Sequence, residues 1–116
     1  NNIILIQQTL LEFVKKKLVI SMWGAGGFGQ AAITLYNIPK ESINFIIDSD
    51  PQKWKLHYID NSIPIISPEE AKKMEPDLII ITSMYSNNIN SMILEMDFKA
   101  SKLIIFPEVI YEANLC

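Results

Sequence analysis

Short apolar runs alternate with amphipathic segments along the chain, and this alternation predicts the secondary structure. Five runs lack the polar alternation of a half-exposed strand and are short enough to be buried strands. These predicted strands cover residues 18–23, 43–47, 63–66, 78–81 and 103–106. Most of the segments around them have the apolar spacing of helices. The predicted helices cover residues 3–16, 27–37, 68–74 and 88–98.

Helix boundaries are marked by local signals, the clearest of which precedes the third predicted helix. Ser67 has the character of an N-cap, Pro68 suits the first helical position, and Glu70 completes a capping box. Pro76 ends this helix. Residues 51–62 have no clear period, and we interpret them as a loop or a broken helix. The tail after the last strand is expected to add only a turn.

The order of these elements predicts an α/β fold. Apolar strands alternating with helices indicate a parallel sheet that is covered on both faces. Right-handed crossovers then give a Rossmann-like three-layer domain with about five parallel strands in the order 3-2-1-4-5. The 116 residues have the length of one domain, so we interpret residues 1–116 as a single domain opened by an N-terminal helix within residues 1–16. Because the first residue is Asn1 rather than Met, we expect the sequence to be a fragment of a larger protein.

Composition and charge narrow the classes of function. Hydrophobic residues make up 49% and charged residues 20% of the chain, which is typical of a soluble globular domain. The net charge of −3 and the absence of a basic face argue against a nucleic-acid partner. No apolar run reaches the roughly 18 residues of a membrane span. The lone Cys116 cannot form an intrachain disulfide, which suits a reducing compartment, and we expect a cytoplasmic protein.

A glycine-rich turn follows the first predicted strand and opens the next helix. It consists of Gly24, Ala25, Gly26, Gly27, Phe28 and Gly29. The spacing G-x-G-x-x-G in this context is the fingerprint of a dinucleotide-binding turn. Gly24 lets the chain turn sharply, Gly26 lets a pyrophosphate approach the backbone, and Gly29 lets the helix pack closely on the sheet. N–H groups at the start of the helix would then face the anion. The alternative is a turn that holds glycines only for tight packing.

An acidic residue follows the second predicted strand. Asp48 lies 19 positions after Gly29, where a carboxylate can accept hydrogen bonds from ribose hydroxyls. Asp50 is the alternate candidate. An acid at this place disfavours a 2′-phosphate, so NAD is favoured over NADP. The alternative is that Asp48 or Asp50 only caps the turn before Pro51.

The loop after the fourth predicted strand borders the same crevice, because that strand neighbours the first one across the switch point. Its first residues, Thr82 and Ser83, carry hydroxyl groups that could contact a ribose, a sugar or a phosphate. The loop continues to Asn88. In the alternative interpretation, Ser86 or Asn87 only caps the following helix.

Other candidates for chemistry are few. Trp23 directly precedes the glycine turn and lies either beside a ligand or in the core. His57 is the single histidine, and it has no evident Asp or Ser partner by spacing. No cluster of His and Cys has metal-ligand spacing. We therefore predict no catalytic residue and no metal site within the chain.

Four segments occur in an order that resembles a known group of proteins. They are residues 22–29, 45–51, 63–70 and 77–83. Together they resemble the Rossmann-like domains of bacterial polysaccharide biosynthesis that accompany sugar methyltransferases and glycosyltransferases, such as the C-terminal domain of sugar C-methyltransferases. The resemblance covers about residues 17–107. A second relative is the N-terminal domain of bacterial sugar acyltransferases, which binds nucleotide sugars and usually has a histidine where this chain has Phe28.

Both resemblances imply a nucleotide or nucleotide-sugar binding role, carried by the glycines, Asp48 and the Thr82–Ser83 exit. Three functional hypotheses follow. The first is an accessory domain of a larger sugar-modifying transferase that binds NAD or a nucleotide sugar. The second is part of an enzyme, either an S-adenosylmethionine-dependent methyltransferase or an NAD-dependent oxidoreductase. The third is a non-catalytic interaction module in which the first helix mediates self-association through its apolar stripe.

Overall fold

The computed structural model describes residues 2–54, 56–58 and 62–114, and this part of the chain contains seven strands and four α-helices. The strands are β1 (Ile20–Trp23), β2 (Phe45–Ile47), β3 (His57–Tyr58), β4 (Ile63–Ile66), β5 (Leu78–Ile81), β6 (Ser101–Ile104) and β7 (Ile110–Glu112). The helices are α1 (Asn2–Lys15), α2 (Gly27–Leu35), α3 (Pro68–Met74) and α4 (Ser86–Glu95). Cys116 and the side chain of His57 lie outside the described part.

The strands form one sheet in the order β3-β4-β2-β1-β5-β6-β7. Its five central members, β4-β2-β1-β5-β6, are the five strands predicted from the apolar runs. Each central strand is parallel to its central neighbours. The predicted order 3-2-1-4-5 and the Rossmann-like architecture are therefore confirmed.

Two antiparallel edge strands depart from the prediction. β3 lies within residues 51–62, where we expected a loop or a broken helix, and it pairs with β4. A short 3-10 helix, Pro51–Lys53, precedes β3. β7 pairs with β6, where we expected only a turn. β3 is two residues long, and all three residues of β7 are exposed. Neither strand therefore produces the buried apolar run by which the other five are recognised.

Helices cover both faces of the sheet, as predicted. Side chains alternate along β1, so that Ile20 and Met22 belong to one core and Trp23 to the other. The first core receives Ile6, Leu10, Phe13, Ala32 and Ile33 from α1 and α2. The second core receives Ala71, Ile89 and Ile93 from α3 and α4. The sheet is thus the middle of three layers, and its strands end at a common edge on which the site lies.

Residues with left-handed backbone conformation follow the helices. They are Lys17, Asn37, Glu75 and Asp97. Asn37 is the last residue of the predicted helix 27–37, and α4 ends at Glu95, before the predicted boundary at residue 98. At the start of α3, the Ser67 hydroxyl accepts a hydrogen bond of 3.1 Å from the Glu70 N–H. The predicted N-cap is therefore confirmed.

Candidate functional site

The glycine turn connects the end of β1 to the start of α2, and its first glycine is required by the fold. Gly24 has φ +126°, in a region that side-chain-bearing residues rarely adopt. A Cβ atom at Gly24 would lie 3.0 Å from Thr82 Oγ1. Its N–H donates to the Ile47 carbonyl at 2.9 Å, which ties the turn to the end of β2. Gly24 thus makes the sharp exit from β1 possible, as predicted.

The next two glycines face open space. Among the residues that the structure describes, no atom lies within 4 Å of a Cβ atom built on Gly26 or Gly27. Gly26 has φ −85° and ψ −179°, which is ordinary extended backbone for any residue. Neither tight packing nor backbone strain accounts for these two glycines. Gly29, in contrast, is buried, in agreement with its predicted role in packing α2 on the sheet.

Asp48 follows β2 and points at the glycine turn. Its Oδ2 accepts a hydrogen bond from the Ala25 N–H at 2.9 Å, and its Oδ1 accepts one from the Asp50 N–H at 2.8 Å. Ala25 itself is buried, with 6% exposure. Ala25 belongs to the predicted dinucleotide-binding turn, and its amide is therefore already engaged by a carboxylate of the same domain. Beside the turn, the described residues leave open space over the Cα atoms of Gly26 and Gly27.

Asp50, the alternate ribose candidate, has a structural contact instead. Its Oδ1 accepts a hydrogen bond of 3.0 Å from the Gln52 N–H. Asp50 is thereby the N-cap of the 3-10 helix Pro51–Lys53. The sequence left open whether Asp50 contacts a ribose or caps the turn before Pro51, and in the structure it caps the turn.

The exit from β5 brings one buried and one accessible hydroxyl to this edge. Thr82 is 1% exposed, and its Oγ1 donates to the Trp23 carbonyl at 3.3 Å. Ser83 is half-buried and accepts a hydrogen bond of 3.0 Å from the Tyr85 N–H. Thr82 therefore forms the wall behind Gly24, and Ser83 is the hydroxyl that a ligand can reach.

The alternative interpretation, in which Ser86 or Asn87 caps the helix after this loop, is wrong. α4 begins at Ser86, and the N-cap position belongs to Tyr85, whose side chain makes no capping hydrogen bond. Ser86 is instead buried, with 5% exposure. The predicted start at residue 88 lies within the first turn of the helix, because the polar residues of the loop already have helical conformation.

A cleft of about 320 Å³ lies at the carboxyl ends of β1, β2 and β5, and the glycine turn contributes Gly24 to its lining. Asp48, Ser49, Ser83 and Asn88 line it with polar groups, and Trp23, Ile89 and Met92 are among its other lining residues. Trp23 is also a core residue, 2% exposed, whose ring contacts Phe98 edge to face at 6.0 Å between centroids. The cleft thus combines an apolar wall with convergent polar groups, which is the usual composition of a small-molecule site.

Phe28 lies away from the Asp48 side of the turn. Its ring contacts that of Phe106 edge to face, with 5.3 Å between centroids and an interplanar angle of 87°. Phe106 follows β6, which lies beyond β5 from β1, whereas Asp48 follows β2 on the opposite side of β1. Both rings are partly exposed, so this pair extends the edge of the site toward β6.

Some site residues are absent from the sequence predictions. Ile89 and Met92 line the cleft from α4, three positions apart, so their helical spacing could have indicated a shared face. Trp54 donates its indole N–H to the Asp48 carbonyl at 2.7 Å. It lies in the segment without periodicity, and we find no sequence signal for this contact.

Other kinds of site have little support in the described residues. Within residues 2–54, 56–58 and 62–114, no three His, Cys, Asp or Glu side chains are grouped so that they could hold a metal ion. None of the helices in that part of the chain has the length and apolar character needed to cross a membrane.

A larger groove lies elsewhere, between α1 and the connection after α2. Its volume is about 490 Å³, and Leu10, Leu11, Val14 and Pro39 contribute to its lining. It is mostly apolar, and Glu41 adds a carboxylate to its lining. Size alone favours this groove. The polar groups that could orient a ligand, however, converge at the 320 Å³ cleft, which lies at the switch point between β1 and its neighbours and is called the switch-point cleft below.

Comparison with known proteins identifies the family. Residues 5–106 match the family described as the C-methyltransferase C-terminal domain, which confirms the resemblance seen in the sequence. No curated protein matches the chain. Among solved structures, UDP-D-quinovosamine 4-dehydrogenase from Vibrio fischeri is similar, with a TM-score of 0.56 and 18% identity over 78% of this chain and 79% of the other. At this identity the likeness is one of fold.

Proposed function

Because this chain belongs to the C-methyltransferase C-terminal domain family, we propose that it is the nucleotide-binding domain of a larger sugar-modifying transferase. The ligand lies in the switch-point cleft, with its nucleoside portion against Asp48 and its phosphate toward the start of α2. The domain itself supplies binding and orientation, and the reaction belongs to the rest of the transferase.

The observation that carries this proposal is the open space above Gly26 and Gly27. Glycine in a turn is explained either by the fold or by the close approach of another molecule. The backbone of Gly26 is ordinary, and no atom in the described part of the chain lies within 4 Å of a Cβ built on either residue. The space that their missing side chains leave open supports the proposal that a ligand approaches the turn here.

The amide groups next to this space suit an anion. The first N–H groups of an α-helix have no acceptor within the helix, and they carry the positive end of its dipole. Gly27 and Phe28 are the first two residues of α2. Phosphate groups are commonly bound at such a position when a glycine turn leads into the helix.

Asp48 retains capacity for a ribose. An ionised carboxylate has about four acceptor sites, and the Ala25 and Asp50 amides each occupy one of them. Asp48 is half-buried and lines the cleft. Two ribose hydroxyls could donate to the remaining sites, and Ser83 and Asn88 could hold further polar groups of the ligand.

Three ligands fit this description. NAD is the first candidate, since an acid after β2 accepts ribose hydroxyls and repels a 2′-phosphate. S-adenosylmethionine is supported by the family description, which names C-methyl transfer. A nucleotide sugar is supported by the similar structure, whose title names a UDP-sugar.

Tryptophan fluorescence provides the test, because Trp23 lines the cleft and Trp54 contacts Asp48. We would titrate the chain with NAD, NADH, S-adenosylmethionine and UDP-glucose. Saturable quenching by one class identifies the ligand, and no response to any at millimolar concentration contradicts the proposal. Gly26→Val should weaken binding at least tenfold with little change in Tm, since its side chain enters open space. Leu35→Val, at an exposed position of α2, is the matched control and should bind normally.

A second function, self-association, is favoured by a separate observation on α1. This helix buries Ile6, Leu10 and Phe13 in the core but also presents a second apolar stripe to solvent. The stripe consists of Ile3, Ile4, Leu11 and Val14, each at least 40% exposed. It borders the 490 Å³ groove. Sedimentation velocity over a range of concentrations tests whether this stripe pairs two copies of the chain.

A further inference from the structure

Asp48 is held on several sides, and one of its contacts comes from a residue with no role in the core. Its backbone N–H donates to the Ile66 carbonyl of β4 at 3.1 Å. Its carboxylate accepts from Ala25 and Asp50. Its carbonyl accepts the indole N–H of Trp54 at 2.7 Å. Beyond Asp48 the chain leaves the sheet, so this last bond replaces the sheet pairing that ends there.

The local structure brings Trp54 back to Asp48 through a closed set of hydrogen bonds. Asp48 Oδ1 accepts from the Asp50 N–H, and Asp50 Oδ1 accepts from the Gln52 N–H. The 3-10 helix Pro51–Lys53 starts there. Trp54 is its C-cap, and the Trp54 backbone N–H donates to the Pro51 carbonyl at 3.3 Å. The indole N–H of Trp54 then donates to the Asp48 carbonyl, which closes a hydrogen-bonded loop over residues 48–54. This loop fixes the backbone from which the Asp48 side chain projects.

Burial does not demand this bond. A buried indole N–H needs a protein partner, because water cannot reach it. Trp54 is 37% exposed, so water could satisfy its N–H. The fold therefore does not need the Trp54 donor in the way that it needs the side chain of Trp23.

We propose that Trp54 is a positioning residue for Asp48, and that its indole N–H aims the carboxylate at the glycine turn and the ligand. The inference rests on the proposed nucleotide-binding function. Without the indole N–H, the hydrogen-bonded loop of residues 48–54 loses the contact that closes it. The carboxylate then samples more orientations, and fewer of them present its open acceptor sites to the cleft.

The test separates the N–H from the ring. Trp54→benzothienylalanine, introduced at this position alone, replaces the N–H by sulfur and keeps the shape of the side chain; Trp54→Phe is the genetic counterpart. The probes are NAD, S-adenosylmethionine and UDP-glucose, followed by calorimetry. The Kd of the probe that the unmodified chain binds should rise about three- to tenfold, the effect of one hydrogen bond. Leu56→Ala, an exposed apolar residue of the same segment, is the control and should leave the Kd unchanged.

An NMR measurement reads the positioning directly. The Ala25 amide bonds to Asp48 Oδ2 from the other side of the site, so its ¹⁵N–¹H signal should shift and exchange faster in the benzothienylalanine variant. A merely structural role of the ring would leave both this signal and the Kd unchanged, which would overturn the inference but not the proposed function. If the unmodified chain binds no probe, the proposed function fails, and the inference fails with it.

Discussion

Gly24 and Gly26 lie two positions apart in one turn, yet their replacement by alanine should have different effects on stability. At Gly24 an added Cβ meets Thr82 Oγ1 at 3.0 Å, and the backbone has φ +126°. At Gly26 the Cβ meets no atom of the described residues within 4 Å, and the backbone is extended. The pair therefore separates a glycine that the fold requires from one that it does not.

The magnitude follows from these two environments. For Gly24→Ala, the unfavourable φ costs about 1–3 kcal/mol, and the contact with buried Thr82 adds about 1 kcal/mol or more. Alanine also lowers the conformational entropy of the unfolded chain, which offsets about 0.4–1 kcal/mol of this destabilisation. The net loss is about 2–3 kcal/mol. For Gly26→Ala, the same entropic stabilisation is cancelled because alanine is a poorer N-cap than glycine. The free energy of unfolding should therefore change by no more than about 0.5 kcal/mol.

Differential scanning calorimetry measures both variants. Unfolding entropy of about 2 cal/mol/K per residue means that 1 kcal/mol shifts the Tm of a chain of this size by about 4 °C. We expect Gly24→Ala to lower the Tm by about 8–12 °C and Gly26→Ala to change it by at most about 2 °C. In a double-mutant cycle with Thr82→Ala, the steric part of the Gly24→Ala loss should be recovered and the backbone part should remain. Equal Tm shifts for the two alanine variants would refute the division of roles.

Three further predictions concern other parts of the molecule. Asp48→Asn puts an NH₂ group against a backbone N–H, so urea denaturation should give an unfolding free energy about 1–3 kcal/mol lower; unchanged stability would contradict the hydrogen bonds described. Leu11→Glu should abolish any self-association in sedimentation velocity, whereas Leu35→Glu on the exposed side of α2 should not. Lys102 is only 12% exposed, and its Nζ lies 3.3 Å from a carboxylate oxygen of Glu112 in β7. Lys102→Met should lower the free energy of unfolding by about 1 kcal/mol, a small loss because the half-exposed Glu112 can return to water. The same variant should speed hydrogen exchange in β7.

The sequence predicts the centre of the sheet well because of where its strands lie. A parallel strand covered on both faces is apolar along nearly its whole length, and β1 and β5 are buried at every residue. Edge strands leave no such trace. Ile110 and Tyr111 of β7 are 39% and 36% exposed, and they are held in place by pairing with β6, a partner that the local pattern does not reveal.

The site divides along similar lines. The glycine turn and Asp48 could be predicted, because each stands at the end of an apolar run and such ends meet at one edge of a parallel sheet. Which amide Asp48 binds could not be predicted, since Ala25 is 23 positions away in the chain. The contact of Trp54 with the Asp48 carbonyl depends on a 3-10 helix in a segment without periodicity. Such contacts follow from the three-dimensional path of the loop, and residue type alone does not encode them.

Asp48 connects the stability of the domain with the proposed site. Its carboxylate ties the end of β2 to the glycine turn through Ala25, and it also lines the cleft. A ligand that took Asp48 away from Ala25 would leave a buried amide without its acceptor, at a cost of about 1–3 kcal/mol. A ligand that uses the remaining acceptor sites incurs no such cost. Binding should therefore preserve the Asp48–Ala25 bond and stiffen the turn, so that the Ala25 amide exchanges more slowly with ligand bound than without it.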